Sequence, residues 1–413
     1  MKADRPVWAW ALYDWANSAF ATAVLAGYFP VMFKTYWGEG LSPADSTLRL
    51  GIANSVASLL VVLAAPVLGA IADQGSARKR FLAVFAGLGI AMTAALYLVQ
   101  AGQWPLAAVL YVLAGIGFAG GNIFYDALIV FVAGPDRLHR VSALGFALGY
   151  LGGGLLFAAT AYAVDHPAAL GLADAGMAVR LAFLAVALWW AAFSLPLWLW
   201  VEEPAGGPAR PAGEIVVAGL RQLRNTFREV RRLRPVFLFL AAYWLYIDGV
   251  DTIVRMAVDY GLALGFRTDD LIKALLLTQF VGFPAAIAFG RLGERLGART
   301  GIYLALACYA VATVWAGRMA AEWEFYSIAG LIGLVQGGIQ ALSRSLYASL
   351  IPRDRSAEFF GFYNMVGKFA AVLGPLMVGG VGVLTDSPRL AMLSILLLFG
   401  LGAWLLSRVN PAR

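Results

Sequence analysis

Apolar runs of about twenty residues or more recur along the whole chain, broken by short stretches rich in Arg, Asp, Gly and Pro. A helix rises 1.5 Å per residue, so each run is long enough to cross a hydrocarbon core ~30 Å thick. Lipid offers backbone groups no hydrogen-bond partner, which leaves the helix as the form these runs adopt. Of the 413 residues, 61% are hydrophobic and 13% charged, against roughly 25% charged in a soluble domain. The expected fold is therefore all-α and integral to the membrane, with about twelve spans.

The spans fall near residues 8–33, 50–72, 81–100, 105–131, 141–164 and 178–201. A second set falls near 235–263, 270–292, 300–319, 324–350, 358–384 and 389–407. Residues 1–201 should form one six-helix bundle and 235–413 another. Residues 202–234 then form a linker, in which Pro204, Gly206, Gly207, Pro208 and Pro211 precede a basic surface helix carrying Arg221, Arg224, Arg228, Arg231 and Arg232. The first span is too long for a signal-peptide core and should remain in the mature protein. Connections 2-3, 4-5, 6-7, 8-9 and 10-11, with the termini, hold about twenty Lys and Arg against about seven on the opposite side, which places both termini in the cytoplasm. A cytoplasmic membrane is the expected location.

The excess of 31 basic over 24 acidic residues follows from those loops, so nucleic acid is not an expected partner. Cys308 is the one cysteine, and the two histidines, His139 and His166, lie in polar connections, so neither a metal site nor a cofactor is expected. A membrane enzyme would need a nucleophile, a metal cluster or paired catalytic carboxylates in one aqueous pocket, and the chain offers no such group. The lipid bilayer and a small-molecule substrate are the expected partners, the working unit a monomer.

Charge within a bilayer is costly and by default functional. Span one carries Asp14 with Asn17 a turn on, span four Asp126, span seven Asp248, Asp251, Arg255 and Asp259, span ten Arg344 and span eleven Lys368, while spans three, six, nine and twelve carry none inside. This three-fold period puts spans 1, 4, 7 and 10 around a central path. Steps of three and four place the span-seven charges on one face, as steps of four do Gln336, Gln340 and Arg344, and Asn364 and Lys368. Asp126 and Arg344 lie eight residues before their loops, roughly 12 Å deep, with Asp14 near the same side. That shallow group reads either as an ion-pair gate or as substrate contacts. The deeper Asp248, Asp251 and Lys368 read either as an inert lattice or as a proton-coupled binding site, with Asp248 the carboxylate that takes up and releases the proton and Lys368 or Arg344 holding a substrate anion.

The halves also echo each other. Gly69 and Asp73, with Arg78-Lys79-Arg80, follow span two, and Gly290-Arg291-Leu292-Gly293-Glu294-Arg295 follows span eight; Leu144-Gly145-Phe146 of span five matches Phe360-Gly361-Phe362 of span eleven. The Gly-x-x-x-Asp segment with its basic run, in register twice, resembles the loop signature of the major facilitator superfamily, which implies two bundles related by pseudo-twofold symmetry and gating roles for Gly69, Asp73, Arg78, Gly290, Glu294 and Arg295. Tyr13-Asp14-Trp15-Ala16-Asn17-Ser18-Ala19-Phe20, Tyr125-Asp126-Ala127-Leu128, Tyr246-Ile247-Asp248-Gly249, Gln340-Ala341-Leu342-Ser343-Arg344-Ser345 and Phe359-Phe360-Gly361-Phe362-Tyr363-Asn364 resemble the autophagy-related vacuolar effluxer branch. That resemblance implies a secondary transporter of amino acids by alternating access, coupled to protons and directed to export. The alternatives are an efflux pump for drugs or other small molecules, or a membrane receptor that no longer transports.

Overall fold

The computed structural model describes residues 4–41, 43–75, 77–204, 233–263, 268–319, 321–369, 373–385 and 387–409, with isolated positions between 214 and 225. The side chains of Arg255, Asp259 and Lys368, and most of the expected basic surface helix, lie outside the described residues.

Helices α1 to α6 are Arg5–Trp37, Pro43–Gly75, Arg78–Leu98, Trp104–Val132, Leu138–Asp165 and Ala175–Trp200. Helices α7 to α10 are Arg234–Ala263, Thr268–Leu296, Ala298–Ala316 and Glu322–Leu350. In two pieces, α11 runs over Ser356–Phe369 and Leu373–Thr385, and α12 over Pro388–Leu393 and Leu396–Ser407. Among the described residues eleven helices are long and apolar enough to cross a membrane, and the divided α11 is the remaining element. This is a multi-pass membrane protein.

Large apolar side chains point outward on α3 (Val84), α6 (Leu188, Leu199), α9 (Leu304, Val311) and α12 (Leu397, Leu401), as a lipid-facing helix requires. Within the first six helices α1 packs on α5 and α6, and α3 on α4; within the last six α8 and α9 pack on α10, and α7 on α12. Two seams join the sets, α5 against α8 and α10, and α2 against α11. Glycine makes both seams close. A Cβ on Gly361 of α11 would sit 2.7 Å from the Ala65 carbonyl oxygen of α2, and one on Gly145 of α5 would sit 2.6 Å from Asp14 Oδ2 and 2.9 Å from Arg344 Nη2.

In α1, Phe20–Tyr28 and Phe33–Trp37 are wound as π-helix, widening the helix just beyond Asp14 and Asn17.

Candidate functional site

At the centre of the seam lies a cavity of about 360 Å³ bordered by α1, α4, α5, α7, α8, α10 and α11. The expected path-lining helices 1, 4, 7 and 10 are all there, with three more from the seams. Its polar wall includes Asn17, Asn122, Tyr150, Asp251, Gln279, Gln340 and Asn364, and its aromatic wall Phe118, Phe146, Tyr243 and Tyr363.

The floor of the cavity is a buried cluster of two carboxylates and one guanidinium. Arg344 of α10 reaches across the seam, with Nη1 3.0 Å from Asp126 Oδ1 of α4 and Nη2 3.3 Å from Asp14 Oδ2 of α1. Its Nε donates to the Ser142 hydroxyl and Nη2 to the Ser142 carbonyl, both at 2.9 Å. Tyr125 donates to Asp14 at 2.8 Å and Asn364 to Asp126 at 3.3 Å. The guanidinium plane lies over Phe146, 4.2 Å from the ring centre, and over Trp10 at 4.8 Å, an arrangement that favours a cation. All three charged residues are buried, at 8%, 7% and 2% exposure for Asp14, Asp126 and Arg344. Such a cluster offsets its desolvation only where further hydrogen bonds support the charges, as those of Ser142, Tyr125 and Asn364 do here. With every nitrogen of the guanidinium engaged, Arg344 is a cross-seam tie in this state rather than an open anion site.

A second tie closes the same end of the molecule. The carboxylate of Asp73, at the end of α2, accepts from the main-chain N–H of Ala357 (3.1 Å) and Glu358 (2.8 Å), the unsatisfied amides of the first turn of α11. It thereby caps a helix of the other set, where its charge also meets the positive end of the helix dipole. Arg78 pairs with Asp73 and donates to Glu203 Oε1 at 3.2 Å and to the Asp354 carbonyl at 2.9 Å. Gly69 is pressed against the Ala357 backbone, where any Cβ would collide. The other loop is not built the same way: Gly290 of α8 packs on Ala143 and Arg140 of α5, while Glu294 and Arg295 are exposed.

Asp248 sits at a helix cap. Fully buried and away from the cavity lining, it accepts from the main-chain N–H of Leu373 and Gly374, both at 2.9 Å, and from Thr252 Oγ1 at 3.3 Å. It caps the second piece of α11, whose first amides have no intrahelical partner. A proton there would weaken the cap. Asp251, one turn on, does border the cavity, as does Gln340, which accepts from Tyr150 at 3.2 Å; Gln336 lies outside the lining. Asn17 donates to Asn122 at 2.6 Å. Asn122, Ser142, Tyr150, Glu203 and Gln279 were not singled out from sequence, since single polar residues in glycine-rich or loop segments carry no periodic signal.

The backbone follows solved transporters of low identity, which bears on the fold alone. The proton:xylose symporter XylE bound to 6-bromo-6-deoxy-D-glucose matches with a TM-score of 0.73 at 13% identity, over 99% of this chain and 95% of that one. FucP, solved in the outward conformation, matches with a TM-score of 0.71 at 12% identity, over 100% and 99%. Two helical sets around a polar cavity on a shared seam make up the major facilitator fold.

The sequence places it more closely. The chain belongs to the family described as "Vacuole effluxer Atg22 like", whose profile matches residues 50–137 and 133–413. An uncharacterised MFS-type transporter, YxiO, of Bacillus subtilis (strain 168) is 38% identical over 407 residues, covering 97% of this chain and 94% of that protein. Autophagy-related protein 22 of Yarrowia lipolytica (strain CLIB 122 / E 150) is 28% identical over 306 residues, 66% of this chain and 51% of that protein. The chain thus spans nearly all of the bacterial relative and about half the fungal one.

Proposed function

We propose that this chain is a proton-coupled exporter of small polar solutes that carry an ammonium group, amino acids foremost, working by alternating access. The observation that supports this reading is the buried cluster of Asp14, Asp126 and Arg344 on the cavity floor. Two carboxylates and one guanidinium sum to one negative charge, which a low-dielectric site tolerates poorly; one added proton makes the cluster neutral. Protonation of either acid removes one of the two charged links across the seam and so favours opening at this end. Closure needs both carboxylates free to hold Arg344, which releases the proton.

A zwitterion fits this cycle. Its carboxylate competes with Asp14 and Asp126 for Arg344 as the seam opens, and its ammonium finds Asp251 with the amide oxygens of Asn17 and Gln340. A cation pump is the second reading, favoured by three acids bordering the cavity, Asp14, Asp126 and Asp251, against Arg344. In the proposed arrangement residues 1–201 and 235–413 are the rocking bundles, 202–234 links them, and the protein works as a monomer in the cytoplasmic membrane with both termini inside. The Atg22-like description supports export as the direction.

Purified protein in liposomes, loaded with labelled amino-acid pools under an imposed pH gradient, tests the proposal. Gradient-driven accumulation is expected, and Asp126→Asn should abolish it while leaving exchange at equal pH. Accumulation unchanged in Asp126→Asn would overturn the proton role of the cluster. Flux of organic cations with none of amino acids would overturn the substrate class.

A further inference from the structure

A second cavity, of about 420 Å³, opens at the arginine-rich end of the seam, separate from the transport cavity, and is bordered by α1, α5 and α8. Its walls share one polarity. Arg137, just before α5, and Arg140 in its first turn stand at the mouth with Val141 and Leu144 up to a turn deeper; on α8, Arg291 stands at the mouth with Ile287 a turn deeper. Asp4, the residue before α1, is at the mouth, and Val7 and Trp8 follow along the helix. A turn is roughly 5 Å, so a basic rim passes into an apolar wall over the distance from a phosphodiester to the first acyl carbons. Arg137 is tied to Asp4 at 2.7 Å, which holds the Asp4 carboxyl below its ordinary range. That leaves Arg140 and Arg291, both exposed, to supply the net positive charge of the rim. Trp8 is 52% exposed beside it, as an indole at the headgroup level is.

We infer that this groove is a binding site for an anionic phospholipid, its phosphate held by Arg140 and Arg291 and its acyl chain laid along Val141, Leu144 and Ile287. The charge complementarity of the rim and the graded polarity of the walls select a headgroup with a chain attached over a free anion. Because α5 and α8 belong to different helical sets, the bound lipid spans the seam.

Native mass spectrometry of the protein released from mixed micelles tests this. Phosphatidylglycerol should be retained over phosphatidylcholine, and Arg140→Gln with Arg291→Gln should weaken that retention roughly thirtyfold, from about 1 kcal/mol per basic side chain at 1.4 kcal/mol per tenfold. Arg80→Gln with Arg353→Gln removes equal charge from exposed sites outside the groove and should leave retention unchanged. Equal retention of the two lipids would overturn the inference, as would loss of retention in both double variants. Binding of glycerol 3-phosphate as tight as that of the lipid would replace it with a soluble-anion site.

Discussion

Replacing Arg344 with Gln leaves Asp14 and Asp126, both on the first set's side of the seam, buried next to each other with no cation to hold them to α10. Five nitrogen contacts to Asp14, Asp126 and Ser142 are lost at once. Removing one partner of a buried pair costs ~3–5 kcal/mol, because the cost is that of the charge left behind. The loss falls on the closed arrangement, since opening admits water to both acids. The open population should rise between roughly a hundredfold and a few thousandfold, less whatever the acids recover by binding protons. Ser345, fully buried one residue beyond Arg344 and hydrogen-bonded to His139 at 2.8 Å, reports the change. On a Cys308→Ala background, Ser345→Cys should react slowly with a membrane-impermeant maleimide in the parent and faster by the stated factor with Arg344→Gln. The triple variant Asp14→Asn, Asp126→Asn, Arg344→Gln removes the stranded charges and should return most of the protection. Equal labelling of the parent and Arg344→Gln, both with unchanged thermal unfolding, would refute the claim that this cluster holds the seam. A triple variant as reactive as the single one would refute the electrostatic account of it.

Three further outcomes follow from the geometry. Gly145→Ala pushes a methyl into Asp14 and Arg344 and should cost ~1–3 kcal/mol of stability by thermal unfolding, with faster labelling at position 345; an unaltered melt and labelling rate would show that the cluster shifts freely. Asp73→Ala removes the cap on Ala357 and Glu358 at a cost of ~0.5–2 kcal/mol, which a disulfide-trapping assay between α2 and α11 should read as several-fold slower cross-linking, and unchanged cross-linking would contradict it. Asp248→Leu should lower stability by ~1–3 kcal/mol or more, with the Leu373 and Gly374 amides left bare, and Asp248→Asn by less; pH-driven flux per folded molecule should survive in Asp248→Asn, and its loss there would return the proton to Asp248.

Much of the cavity floor could be anticipated from chain depth. Asp126 and Arg344 each lie eight residues before a loop at the same end, and charges at one level in neighbouring helices must find each other in lipid. That argument fixes level and face but not partner, so it left gate and substrate contact equal; what it could not supply is the set of contacts that engages every nitrogen of Arg344 in this state. The surroundings of Asp248 were not legible: depth and charge set it beside Asp251 and Lys368, whereas its partners include main-chain amides of α11, and amides leave no mark in composition. The one hint was Gly374-Pro375, since proline cannot continue a hydrogen-bond ladder behind it. Lys368, set beside Asp248 by the same reasoning, has its side chain outside the described residues.

Asp73 grips α11 by two backbone amides, and every residue except proline offers one. Substitution at Ala357 or Glu358 therefore leaves the receptor half of this latch in place, while a single change at Asp73 removes the whole of it. Such a contact is fragile from one side only: the amides stay whatever side chains those two positions carry, and the carboxylate that holds them is a single residue of α2.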